Sequence, residues 1–151
     1  MFSRVLVLCV GNICRSPMAA ALLRHRLTGR DVQVASAGLA ACVGAGIDTH
    51  ARAVLAEAHV PVAEHRARQV SLDMLNWAEL VLLMEHAHVS DLLRTAAHVR
   101  GKAFLMGKWQ GGMEIADPFR QPKEVFQHTY QDVSRCVDSW LPYLSQQERL
   151  A

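Results

Sequence analysis

Long hydrophobic runs are missing from this sequence. Met1-Phe2-Ser3-Arg4 leads into an apolar run of only six residues, too short for the core of a secretory signal and far too short to span a bilayer. Nothing later in the chain is longer, so a cytoplasmic protein without membrane insertion is expected. No cluster of Lys and Arg stands out, and the net charge is only +2, which gives nucleic-acid binding little electrostatic support. The four cysteines (Cys9, Cys14, Cys42, Cys136) form no Cys-x-x-Cys pair. Without a signal segment they point to reactivity or burial and not to a disulfide framework. The eight histidines are scattered, and no His or Cys cluster has zinc-ligand spacing. A Gly-x4-Gly-Lys-Ser/Thr loop is also absent, which argues against nucleotide hydrolysis. Neither a metal nor a cofactor is called for. Repeats, linkers and low-complexity segments are lacking too, so a single domain over residues 1–151 is expected.

What is present is ordinary in composition: 51% hydrophobic and 20% charged residues, enough to build one buried core. The patterning predicts strands at Arg4 to Leu8, Val32 to Ala35, Glu79 to Met84 and Lys102 to Met106. Between them it predicts a helix from Pro17 to about Thr28, one starting at an Asp48 N-cap and ending before Pro61, and a short one from a Ser71 cap to Asn76. A fourth helix runs from His86 to Ala97, with Val89, Leu92 and Leu93 inward. The last starts near Pro122 and carries Phe126, Tyr130, Val133, Val137, Trp140, Leu141 and Leu144 as a stripe, with Pro142 bending or ending it. The alternation calls for a doubly wound, three-layer α/β/α fold on a four-stranded parallel sheet. In such folds ligands sit beyond the carboxyl ends of the strands, where Cys9 and Asp117 would both project.

The stretch Cys9-Val10-Gly11-Asn12-Ile13-Cys14-Arg15-Ser16-Pro17 joins the first strand to the first helix. A loop of this size turns its backbone N–H groups inward, and the helix points its positive end at the same place. The result is a cradle for a tetrahedral anion such as phosphate. Arg15 adds a planar fork of donors for two anion oxygens. The same field suits a thiolate nucleophile at Cys9, with the Ser16 hydroxyl as a further donor. Asn12 is able to take a left-handed conformation and bond across the loop. A nucleophile of this kind needs a proton donor for its leaving group, and Asp117, stiffened by Pro118, is the candidate. Cys-x5-Arg alone is a weak signal, and Asp-Pro alone is an ordinary turn. Together, with a buried strand before and Ser-Pro opening a helix after, they point to a phosphomonoester hydrolase.

These residues resemble the signature loop of the low-molecular-weight protein-tyrosine phosphatases. The likeness continues through Ser36-Ala37-Gly38, His65-Arg66-Ala67-Arg68-Gln69 and Asp117-Pro118. Met84-Glu85, Gly107-Lys108-Trp109 and Ile115 to Gln121 resemble the bacterial branch, whose members act on tyrosine autokinases of capsule and exopolysaccharide export. The resemblance implies a phosphotyrosine protein as partner, with inorganic phosphate or other oxyanions binding in the loop. It implies Cys9 as nucleophile, Arg15 as phosphate ligand, Asp117 as general acid and then base, and Asn12, Ser16 and His65 as support of the loop. His65 read without it is a loop or core histidine.

Phe119 departs from the family's usual tyrosine after Asp-Pro: it keeps the aromatic wall and loses the hydroxyl. The opposite wall, Leu39 to Cys42, is small and aliphatic, so a more open pocket is expected. Cys14 is either a resolving partner for an oxidised Cys9 or a plain buried thiol. Two other readings compete. Thioredoxin-coupled arsenate reductases share Cys-x5-Arg but need two relay cysteines, and Glu85 to Ala97 contains none. A non-catalytic anion-binding module would have no use for Cys9 and Asp117 together.

Overall fold

The computed structural model describes residues 1–150. Its elements in order are β1 (Arg4–Cys9), α1 (Arg15–Arg26), β2 (Gln33–Gly38), α2 (Thr49–Glu57), α3 (Leu72–Trp77), β3 (Leu80–Leu83), α4 (His86–Thr95), β4 (Ala103–Leu105) and α5 (Lys123–Trp140). The four strands pair in parallel in the order β2-β1-β3-β4. The chain leaves β1 towards β2 on one side and returns to β3 on the other. The strand order therefore reverses at the carboxyl end of β1, where doubly wound sheets bind their ligands.

Strand alternation assigns the two faces. Val5, Val7 and Cys9 of β1, with Leu80 and Leu82 of β3, join the apolar sides of α1, α2 and α5 in one core. Leu6 and Leu8, with Val81 and Leu83, pack with α3 and α4 in the other. Because both faces are covered, β1 is apolar at nearly every position. The three-layer α/β/α arrangement is the one expected. Trp140 of α5 is almost fully buried, and its indole N–H donates to the Met106 carbonyl at 2.8 Å, tying the last helix to the end of β4.

Several boundaries differ from expectation for identifiable reasons. β2 runs on through Ser36-Ala37-Gly38 because the chain pairs with β1 as far as Cys9 opposite Gly38. Pairing overrides the low strand propensity of small residues. α1 begins at Arg15, so Arg15 and Ser16 lie in its first turn and not in the loop before it. Pro122 occupies the N-cap of α5, one position earlier than a first-turn proline. Pro142 ends that helix in a single 3₁₀ turn, Leu141–Tyr143. α4 stops at Thr95, and its inward residues are His88 and Leu92, with Val89 and Leu93 only half-buried. A histidine thus takes a core position that apolar periodicity does not reveal.

The segment after β2 passes beside the Cys9 loop, with Leu39 N–H donating to the Cys9 carbonyl at 2.9 Å and Ala40 N–H to that of Val10 at 3.0 Å. Gly38 makes this approach possible, since a Cβ there would lie 2.4 Å from the Val10 carbonyl oxygen. Gly38→Ala is therefore expected to cost about 1–3 kcal/mol in urea unfolding and to lower activity by displacing Val10. Unchanged stability would mean that the loop moves aside freely.

Candidate active site

The segment from Cys9 to Ser16, loop and first helical turn together, is built around Asn12, which is fully buried with φ of 60°. Asparagine tolerates this left-handed conformation better than most side chains. Its amide nitrogen donates to Ser16 Oγ at 2.8 Å and Ser36 Oγ at 3.1 Å, and its Oδ1 accepts from the Arg68 N–H at 3.0 Å. Its backbone carbonyl lies 2.6 Å from His65 Nε2; a carbonyl only accepts, so that nitrogen carries the proton. The expected support residues Asn12, Ser16 and His65 meet here. Ser36 and Arg68, present only as parts of the motifs, complete the set.

Cys9 closes β1 with its sulfur almost wholly buried at the base of the loop. The Asn12 N–H points to Sγ at 3.3 Å, and Ser16 Oγ lies 2.9 Å away. Ser16 Oγ accepts from Asn12, and its own proton has the sulfur at 2.9 Å and the Ala37 carbonyl at 3.5 Å within reach. α1 has no side-chain cap at Cys14, so the N–H groups of its first turn remain available to an anion.

Arg15 is 2% exposed. A buried guanidinium requires fixed partners. Nη1 donates to Glu85 Oε2 at 2.6 Å and to the Ile115 carbonyl at 2.8 Å, and Nη2 stands 3.9 Å from Asp117 Oδ2. Glu85 lies two residues past the end of β3, at the N-cap of α4, on the sheet edge that carries Cys9. That placement was the available signal for it, since a charged residue just past a buried parallel strand faces the ligand crevice. Asp117 is half-exposed, and its Oδ1 accepts the Phe119 N–H at 3.0 Å, which leaves Oδ2 towards the pocket.

The pocket has a volume of about 180 Å³. Cys9, Val10, Gly11, Ile13, Cys14 and Arg15 line it from the loop, Ala40 and Cys42 from one side, and Asp117 and Phe119 from the other. Leu39 corrects an expectation. It does not line this pocket but a neighbouring cavity of about 660 Å³, against Leu72, Leu75 and Leu92. The chain turns after Gly38, and Ala40, which borders both cavities, takes the wall. Cys42, exposed in its loop, lines the pocket together with Ala40, within the wall expected over Leu39 to Cys42; Cys136 is buried inside α5. All four cysteines are free thiols. Burial, helped by the charges of Asp48 and Asp117, pushes the Cys14 thiol well above the ordinary range.

The low molecular weight phosphotyrosine protein phosphatase family model matches residues 4–150. The chain belongs to that family of enzymes. It is 40% identical over 148 residues to the low molecular weight protein-tyrosine-phosphatase Wzb of Escherichia coli K12, covering 98% of this chain and 99% of the relative. Among solved structures, Vibrio vulnificus Wzb in complex with benzylphosphonate superposes with a TM-score of 0.90 at 38% identity, over 95% of this chain and 100% of that one. The YwlE arginine phosphatase of Geobacillus stearothermophilus superposes with a TM-score of 0.87 at 34% identity, over 93% and 92% of the two chains.

Asn12→Ala tests the loop's organisation. It removes three side-chain hydrogen bonds and leaves alanine at positive φ, so a loss of about 2–4 kcal/mol is expected in chemical denaturation. Phosphate affinity should fall in parallel. A stable variant with native phosphate binding would show that the loop keeps its shape without Asn12.

Proposed function

We propose that this protein hydrolyses phosphotyrosine in proteins through a phosphocysteine intermediate. The observation carrying this reading is that Cys9, Arg15 and Asp117, far apart in sequence, line one small pocket, with Arg15 Nη2 3.9 Å from Asp117 Oδ2. The Cys9 thiolate attacks phosphorus; the S–P bond forms as the bond to the tyrosyl oxygen breaks. Asp117, through Oδ2, gives its proton to the departing phenolate. Water then attacks the phosphocysteine, Asp117 takes a proton from it, and phosphate leaves as the thiolate is regenerated. Arg15 and the loop N–H groups hold the equatorial oxygens throughout, and the Ser16 hydroxyl steadies the sulfur when it departs.

The pocket walls favour an aryl group. Ile13 and Phe119 offer apolar and aromatic surface on either side of the entrance, and no wall residue besides Asp117 carries a charge suited to a guanidinium leaving group. This bears on the choice between phosphotyrosine and the phosphoarginine chemistry of the YwlE relative. The likeness to the bacterial branch supports a tyrosine autokinase of polysaccharide export as the substrate protein, met in the cytoplasm. Inorganic phosphate or another oxyanion occupies the same loop, and no cofactor takes part. With Ala40 and Cys42 opposite Phe119, the mouth suits varied aryl phosphates.

Steady-state hydrolysis of p-nitrophenyl phosphate tests the assignment. Cys9→Ser should abolish turnover, and Asp117→Ala should slow it by about a hundredfold or more, as for loss of a general acid. Full activity in either variant would overturn the mechanism. A phosphotyrosine peptide should also be cleaved with a higher kcat/KM than the corresponding phosphoarginine peptide. The reverse order would assign this chain to the arginine-directed chemistry.

A further inference from the structure

His88 is a buried titratable side chain near the pocket that the mechanism leaves unused. It projects from the first turns of α4 and is only 8% exposed. Its Nε2 lies 3.3 Å from Glu85 Oε2, the same oxygen that accepts from Arg15 Nη1 at 2.6 Å. Its Nδ1 is buried without any hydrogen-bond partner. An apolar side chain would fill this place without leaving a buried polar atom unpaired. The imidazole therefore needs an explanation beyond packing.

We propose that His88 is a positioning residue for Arg15: by directing an Nε2–H at the Glu85 carboxylate, it fixes the oxygen on which the guanidinium is hung. This rests on the phosphatase reading, in which the plane of Arg15 must match the phosphoryl oxygens. A carboxylate only accepts, so the nitrogen facing it carries the proton. That leaves Nδ1 as a bare acceptor, which is less costly to bury than an orphaned N–H. The state this proposal assigns to the ring is the neutral Nε2–H tautomer. The groups facing it are Glu85, Arg15, Glu114 and Asp117. Burial lowers its proton affinity, and Arg15 acts in the same direction. The three carboxylates oppose this and together do not prevail. A cationic ring would compete with Arg15 for one oxygen and would bury an unpaired Nδ1–H. Neutrality keeps the carboxylate committed to the arginine.

The folded-state value lies below the ordinary 6.5. As pH falls below that value the unfolded chain takes up a proton before the folded one does. The stability associated with the neutral ring is therefore complete above about pH 6.5 and is lost as pH drops towards the folded value.

The test compares wild type, His88→Met and His88→Gln. Methionine fills the site without an N–H; glutamine restores one near the Nε2 position. With p-nitrophenyl phosphate, His88→Met should lower kcat and weaken vanadate inhibition by about tenfold each, with a smaller change in KM, because a misaligned Arg15 costs most in the transition state. His88→Gln should recover most of both, and should lose less stability than wild type on acidification below pH 6.5. Wild-type kcat and vanadate affinity in His88→Met, or a His88→Gln as impaired as His88→Met, would overturn the proposal. If His88→Met does not fold, the ring nitrogens of wild type decide by NMR: the Nε2–H tautomer at pH 7.5 supports it, and the Nδ1–H or cationic form overturns it. An inactive wild type would break the phosphatase reading, whereas an active wild type insensitive to His88 breaks only this inference.

Discussion

The hydrogen bonding of Asn12 is the constraint on which the rest of the site depends. A loop that turns its N–H groups towards an anion turns its carbonyls and side chains towards the protein, where they need partners. Asn12 meets that need with one side chain and one carbonyl. It bonds to Ser16 in the first turn of α1, to Ser36 on β2, and to Arg68 and His65 on the irregular segment before α3. Three separate parts of the chain are thereby registered to one residue in a left-handed conformation. The position of the Ser16 oxygen beside the Cys9 sulfur is held by the Asn12 amide.

Arg15 presents the complementary problem. Its charge is buried, and such a charge is tolerated only when it is paired and fully hydrogen-bonded. Glu85, just ahead of α4, and the Ile115 carbonyl, from the long loop after β4, hold its first terminal nitrogen, while Asp117 faces the second. The parallel sheet makes this economical, since every strand delivers the residue after its carboxyl end to the same edge. The nucleophile, the anion ligand, its carboxylate anchor and the acid–base residue come from three such exits. The proposed role of His88 extends this arrangement by one contact into α4.

The sheet also explains which parts were legible beforehand. Strands buried on both faces are read from runs of apolar residues, as with Val5 to Leu8 and Leu80 to Leu83. Caps such as Asp48 and Ser71 mark helix starts because their side chains bond locally, and both do so here. Less visible were features decided by pairing at a distance. Ser36 to Gly38 become strand because β1 lies beside them, and Arg15 enters the helix because the loop closes earlier than Pro17 signals.

By itself the sequence determined the strand-loop-helix with Cys9, Arg15 and Ser16 in order, the parallel α/β class, and the candidacy of Asp117, because each rests on local spacing or on periodicity. Tertiary structure alone decided that Glu85 anchors Arg15, that Ala40 and Cys42 and not Leu39 form the pocket wall, and that a histidine occupies the inward face of α4. Those outcomes depend on which way a side chain faces and what stands opposite it. Packing the helices on the sheet settles such questions, and no pattern along the chain encodes them.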